Sequence, residues 1–222
     1  MINYSNKTYV STFNLKQLNN MNKLVIFMPS IEGGGVEKNL FIISNYLAKR
    51  IKNTQIITAD RIYNKNFKNI NVINPTLSVS LGAPRKLKYL LCLYELIKLI
   101  IKYKKITVFA FQANFYCAIV CKIFFNVKLI TRSNSSPSGW SKNFLKKKIF
   151  KYLFTLIDKV IVNSLNFKKE LKKKFNANSV CIYNPLNLYQ IKKLSKQRIH
   201  FSFFKKKEEL KIINIGRFVN KK

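Results

Sequence analysis

The sequence predicts an α/β fold: a parallel sheet with helices on both faces, Rossmann-like in layout. Three observations predict it. Short apolar runs alternate with stretches of helical period along the chain. The runs are continuously apolar rather than alternating, as strands buried on both faces require. Loops rich in Gly, Pro, Asn and Ser follow the runs at Glu32–Gly35, Arg132–Asn143 and Asn184–Asn187.

The elements follow in order. Residues 1–20 are polar, carry several Asn and lack an apolar segment, so they read as a disordered leader with no secretory signal; Met21 is an alternative start. Lys23–Met28 is a buried-strand run. Val36–Ile51 carries Leu40, Ile43, Tyr46 and Leu47 at helical spacing. Gln55–Ala59 and Ile70–Ile73 are short strands, Pro75–Pro84 a loop and Arg85–Lys105 a long helix. Ile106–Ala110 is a strand, Ala113–Phe125 a helix and Val127–Thr131 a strand. Phe144–Ile157 is an amphipathic helix, Lys159–Val162 a strand, and Ser164–Phe175 a helix capped by Ser164. Val180–Tyr183 is a strand. The expected organisation is a domain over 21–188, a basic, weakly patterned linker over 189–210, and the start of a second domain over 211–222.

Composition bounds the function. The chain has 222 residues and 48% hydrophobic residues, enough for a substantial core. Its formal net charge is +34. Three readings stay open: a coding bias towards Lys, Asn, Ile and Phe, attachment to an anionic membrane, and nucleic-acid binding. The basic residues are spread along the chain, and most aromatics fall in core-like patterns, which speaks against a nucleic-acid partner. Four cysteines and one histidine make no zinc set, so no metal is expected. Cys117 and Cys121 share a helix face as small core residues, and nothing suggests disulfides, which fits a reducing cytoplasm. The stretch Tyr89–Ile101 is too short and too charged to span a bilayer.

The stretch Met28–Leu40, MPSIEGGGVEKNL, places Gly33, Gly34 and Gly35 between a strand and a helix. It lacks the Gly-Lys-Ser/Thr ending of a Walker loop and the spacing of the dinucleotide fingerprint. A glycine loop at a helix N-terminus turns bare amides and a positive dipole end towards an anion. It serves equally as a tight turn that needs glycine backbone angles. Glu37, in the first helical turn, either favours the helix dipole or orients the loop or a sugar hydroxyl.

Gly-Gly-x-Glu opening a helix after the first strand resembles the family-four glycosyltransferases, as do three later stretches. These are TRSNSSPSGWS at Thr131–Ser141, DKVIVNSLNFKKELKKKF at Asp158–Phe175 followed by VCIYNPLN, and INIGRFVNKK at Ile213–Lys222. The resemblance implies the N-terminal half of a GT-B fold. It implies transfer of a hexose or N-acetylhexosamine, with retention, from a nucleotide sugar such as a UDP-sugar to a lipid-linked or glycan acceptor. The setting would be surface-polysaccharide or lipopolysaccharide assembly, on the cytoplasmic face of the plasma membrane. No cofactor beyond the nucleotide-sugar substrate is implied. Gly33, Gly34 and Gly35 would face the donor phosphates, and Arg217 and Lys222 would match the family's pyrophosphate clamp. Glu37, Asn114, Arg132 and Asn134 would line the acceptor cleft, with a helix cap as the alternative for Asn114. No general base can be named. Trp140 reads equally as a lid, a membrane-interface residue or a loop anchor.

The basic, aromatic helix Phe144–Ile157 could lie on an anionic membrane or turn its apolar face to the core. The family's donor-binding domain, with its acidic Glu-x7-Glu motif, would need about 150 further residues. The expectation is therefore a truncated enzyme, inactive alone. The alternatives are the acceptor and membrane subunit of a two-chain glycosyltransferase or, from another class, a basic nucleic-acid-binding protein.

Overall fold

The computed structural model describes residues 23–78, 80, 82–103, 105–125, 127–134, 143–197, 210 and 212. The expected leader and most of the stretch after 197 lie outside them, as do Trp140, Arg217 and Lys222. Two compact units divide between Pro185 and Leu186.

The first unit alternates as the sequence predicts. In chain order it holds β1 (Leu24–Phe27), α1 (Gly35–Ala48), β2 (Thr54–Ile57), β3 (Asn71–Ile73), α2 (Arg85–Lys102) and β4 (Thr107–Ala110). There follow α3 (Asn114–Ala118), β5 (Lys128–Ser133), α4 (Phe144–Thr155), β6 (Lys159–Val162), α5 (Leu165–Phe175) and β7 (Ser179–Cys181). The seven strands form one sheet in the order β3-β2-β1-β4-β5-β6-β7. All pairings are parallel, with Leu24 opposite both Thr54 and Thr107, and Thr107 opposite Lys128. The chain builds outward from β1 through β2 and β3, then crosses back to β4. The β1/β4 boundary is thus the switch point, where such sheets offer a crevice at their carboxyl ends.

Side chains of successive strand residues point to opposite faces, so each strand feeds two cores. Val25, Phe27, Val108, Ala110, Leu129, Val160 and Val162 pack with Leu96 of α2, Cys117 and Ala118 of α3, and Phe154 of α4. Leu24, Ile26, Ile56 and Phe109 pack on the other face with Leu40 of α1. In α5, Phe167, Leu171 and Phe175 repeat every four residues and are buried. Burial of each contributes about 1.5–3 kcal/mol. The Ser164 Oγ accepts from the Phe167 amide at 3.2 Å, the cap that the sequence predicts. Asn176 closes α5 in the left-handed conformation, φ 52°, which Asn tolerates.

The differences from expectation are local. Helix α1 ends at Ala48, and Ile51 turns into the core. Helix α2 stops at Lys102 because Tyr103 is extended. The helix beginning at Asn114 widens after Ala118 into a π-helical segment, Ile119–Phe124. Strand β7 ends at Cys181, short of Tyr183. A 3-10 helix, Arg61–Asn66, occupies a stretch without readable period. In the second unit the stretch expected as linker holds a helix, α6 (Leu188–Ser195), whose Asn187 Oδ1 accepts from the Gln190 amide at 3.0 Å.

Cys92, Cys117 and Cys121 are buried and Cys181 is half-exposed. Burial pushes the thiols of Cys92 and Cys121 up to about 12, and that of Cys117 well above its ordinary value. The thiolate is the nucleophile. Iodoacetamide at pH 8 should therefore label only Cys181 in the folded protein and all four thiols in denaturant, counted by mass spectrometry. Labelling of Cys117 under native conditions would contradict this packing.

Candidate functional site at the carboxyl rim of the sheet

The loop after β1 runs from Pro29 to Gly34, and three side chains from elsewhere hold its backbone. Asp60, just past β2, accepts from the Ile31 amide through Oδ2 at 2.7 Å. Gln112, just past β4, accepts from the Ser30 amide through Oε1 at 3.2 Å. Glu37, one turn into α1, accepts from the Glu32 amide through Oε1 at 3.4 Å. Glu37 is buried in the first turn of α1, so it both holds the loop through this contact and stands at the helix's positive end. The Glu32 carboxylate in turn pairs with Arg85 at the start of α2.

Asp60 is itself held. Its Oδ1 accepts from Lys88 Nζ at 2.7 Å, with both side chains almost wholly buried, at 2% and 4% exposure. The ion pair fastens the end of β2 to the first turn of α2 and leaves Oδ2 for the loop. Asp60, Lys88 and Gln112 escaped the sequence reading. The available signal was position: each acceptor lies within two residues of the end of a predicted strand, at the same end as the glycines.

The three glycines differ. Gly33 has φ +79°, a conformation that side-chain-bearing residues rarely adopt. Gly34 is the N-cap of α1, and no side chain caps this helix end. Gly35 is the first helical residue, and a Cβ there would meet nothing within 4 Å. The loop therefore presents a helix N-terminus without a side-chain cap. Among the described residues, nothing stands within 4 Å of where a Gly35 Cβ would lie.

Next along the rim are the ends of β4 and β5. The cap reading of Asn114 does not hold. The N-cap of α3 is Ala113, in the left-handed region at φ 54°, and no side-chain cap bond forms. Asn114 reaches across strands instead, its Nδ2 donating to the Arg132 carbonyl at 3.1 Å, while its Oδ1 is buried without a partner among the described residues. Arg132, the last residue but one of β5, is 2% exposed. Its Nη2 donates to Asn184 Oδ1 at 2.7 Å, and its Nε has no partner among the described residues. Burial alone pushes its pKa down. Asn134 Oδ1 and Ser30 Oγ are likewise buried without partners among the described residues. Asn184 comes from the Asn-Pro turn after β7, a loop that the sequence places after a strand, and its contact with Arg132 adds it to the rim.

The rim thus brings together Gly33, Gly34, Gly35, Glu37, Asn114, Arg132 and Asn134 at the ends of the adjacent strands β1, β4 and β5. Arg217 and Lys222 lie outside the described residues.

No family model and no curated protein matches the sequence. Solved structures do match in three dimensions. Anabaena Alr3699/HepE, solved with UDP and glucose, superposes with a TM-score of 0.54 at 14% identity, over 75% of this chain and 45% of that one. A glycosyltransferase from Rickettsia africae superposes with a TM-score of 0.51 at 18% identity, over 80% of this chain and 49% of that one. The fold is that of solved glycosyltransferases. The chain spans about half the length of the structures it matches.

Proposed function

We propose that this chain forms the acceptor side of a sugar-transferring enzyme of the GT-B type, resembling family four, and works on a nucleotide sugar such as a UDP-sugar. The observation that carries the reading is the glycine loop. It stands at the sheet's switch point, opens a helix without a side-chain cap, is pinned by Asp60, Gln112 and Glu37, and leaves the space at Gly35 open. In transfer, the bond between the anomeric carbon and the diphosphate breaks, and the diphosphate leaves with the bonding electrons. The acceptor oxygen forms the new bond to the anomeric carbon, and its proton passes to the departing diphosphate or to solvent. Amides at a helix N-terminus stabilise the charge that develops on the leaving group. The likeness to HepE, solved with UDP and glucose, agrees with this class of ligand. Arg217 and Lys222 complete the proposed diphosphate clamp, on the strength of the sequence resemblance. The test is expression of the complete reading frame that contains this chain, assayed against a panel of nucleotide sugars. Turnover of one of them supports the assignment; neither turnover nor binding of any overturns it.

The acceptor side is proposed to rest on an anionic membrane, where a lipid-linked or glycan acceptor would be met. Helix α4 buries Leu153 and Phe154 but exposes Leu145, Ile149 and Tyr152, at 66%, 49% and 58%, as a second stripe at i, i+4 and i+7. Lys146, Lys147, Lys148 and Lys151 lie beside it and are exposed. Among the described residues no helix is long and apolar enough to cross a membrane. Each lysine near an anionic surface contributes about 1 kcal/mol. Replacing Lys147, Lys148 and Lys151 with Ala should therefore lower partition onto phosphatidylserine-containing vesicles by about 100-fold in a co-sedimentation assay. Unchanged partition would remove α4 from the membrane face.

A further inference from the structure

A guanidinium stays charged at any physiological pH and carries five donors. Arg132 keeps one in the interior, and among the described residues its contacts are a single neutral amide oxygen, from Asn184, with no carboxylate. A charge buried in this way is costly unless something pairs with it. The pairing group must be an acceptor, because Nε is an unpartnered donor. Two nearby groups have the opposite need. The Oδ1 atoms of Asn134, two residues on, and of Asn114, whose Nδ2 donates to the Arg132 carbonyl, are buried acceptors without donors among the described residues. Ile130 packs with the core of the α1 face. By strand alternation Arg132 belongs to that same face, on which the glycine loop opens α1. A ligand that satisfies all three residues offers an anionic acceptor and, next to it, hydroxyl donors.

We propose that Arg132, oriented by Asn184, binds a phosphate group of the substrate, and that Asn134 and Asn114 accept hydrogen bonds from the hydroxyls of a sugar attached to that phosphate. The ligand class is a glycosyl phosphate. This deepens the sugar-transfer reading and rests on it, but binding of a sugar phosphate can be read without any transfer. A chain that binds through Arg132 while its complete reading frame transfers nothing keeps the site and loses the function. An active enzyme indifferent to Arg132 keeps the function and loses the site.

The experiment is calorimetric and thermal-shift titration of the 222-residue chain with inorganic phosphate, glucose 1-phosphate and UDP-glucose. Glucose 1-phosphate should bind and raise the Tm. Arg132→Gln should weaken it by tenfold or more, the ordinary scale for a charge-assisted bond. Without ligand, Arg132→Gln should melt no lower than wild type, because an unpaired buried charge has been removed; a structural arginine would show the reverse. Arg132→Lys keeps the charge but loses the fork, and should bind with intermediate affinity. It decides the matter if the Gln variant does not fold. Asn134→Ala should weaken glucose 1-phosphate several-fold and leave inorganic phosphate unchanged. Dependence on Arg132 for glucose 1-phosphate but not for UDP-glucose would mark an acceptor phosphate; dependence for both would mark the donor's. Either outcome supports the site. No binding of any of the three by wild type, unchanged binding in Arg132→Gln or Arg132→Lys, or a ligand-free Tm well below wild type in Arg132→Gln overturns it.

Discussion

Asp60→Ala is expected to destabilise the first unit by about 3–5 kcal/mol, read as a fall in the urea midpoint at unchanged slope. Two losses combine. The substitution leaves the Lys88 ammonium buried at 4% exposure without the carboxylate 2.7 Å away, the costly way to break a buried pair. It also strips the Ile31 amide of its acceptor at 2.7 Å. Lys88→Met should cost less. The carboxylate it strands still accepts from Ile31, and the methionine fills the lysine's volume. The double variant Asp60→Leu/Lys88→Met removes both charges, and such replacements are often neutral. It should recover most of the stability of Asp60→Ala while leaving the Ile31 amide unpaired. That separation is informative. If the pair serves only the fold, the double variant behaves as wild type in every assay. If Asp60 also sets the glycine loop, the double variant regains its urea midpoint and still loses whatever nucleotide-sugar binding the wild-type protein shows. Equal midpoints for Asp60→Ala and wild type would show that the pair contributes nothing.

The elements were legible in the sequence because they are local. Continuous apolar runs such as Leu24–Phe27 and the four-residue repeat of Phe167, Leu171 and Phe175 carry their own signal. So does a serine in front of a helix. The 3-10 helix Arg61–Asn66 has no buried residue and hence no apolar period to read. The rim was only half legible, for a different reason. Gly33 to Gly35 and Arg132 announce themselves by type and place. What Asp60, Gln112 and Asn184 do depends on which strands become neighbours. Asp60 meets Ile31 because β2 lies beside β1, and Gln112 meets Ser30 because β4 lies on β1's other side. Strand order is a property of the whole sheet, so no window of sequence contains it. Asn114 shows the same limit. Its position favours a local cap, yet the Arg132 carbonyl from the next strand captures its amide. For Arg132 itself, only burial separates an unpaired guanidinium from a solvated strand end.

Gly33 and Gly35 are expected to respond to alanine with opposite signs. At Gly33, φ is +79°, and any Cβ is strained whatever the room around it; the nearest atom, the Tyr63 hydroxyl, would stand 3.6 Å away. Gly33→Ala should therefore cost about 1–2 kcal/mol, the penalty of the left-handed region for an L-residue. Gly35 begins α1 with ordinary helical geometry, and a Cβ there meets nothing within 4 Å. Gly35→Ala should stabilise the fold by about 0.4–1 kcal/mol, because alanine has less freedom to lose on folding. Natural sequences commonly leave such stabilisation unused, so the glycine alone does not assign a ligand; under the proposed function the open space is room for a ligand to approach the amides of the helix end. A larger side chain separates folding from that approach. Gly35→Leu should leave the urea midpoint within about 1 kcal/mol of wild type, since leucine is a good helix former. In the enzyme assembled from the complete reading frame it should lower sugar transfer by about 100-fold, the scale of a substrate displaced by about 1 Å. Full transfer in Gly35→Leu would mean that the substrate never comes near these amides, and the glycines would then be a turn and nothing more.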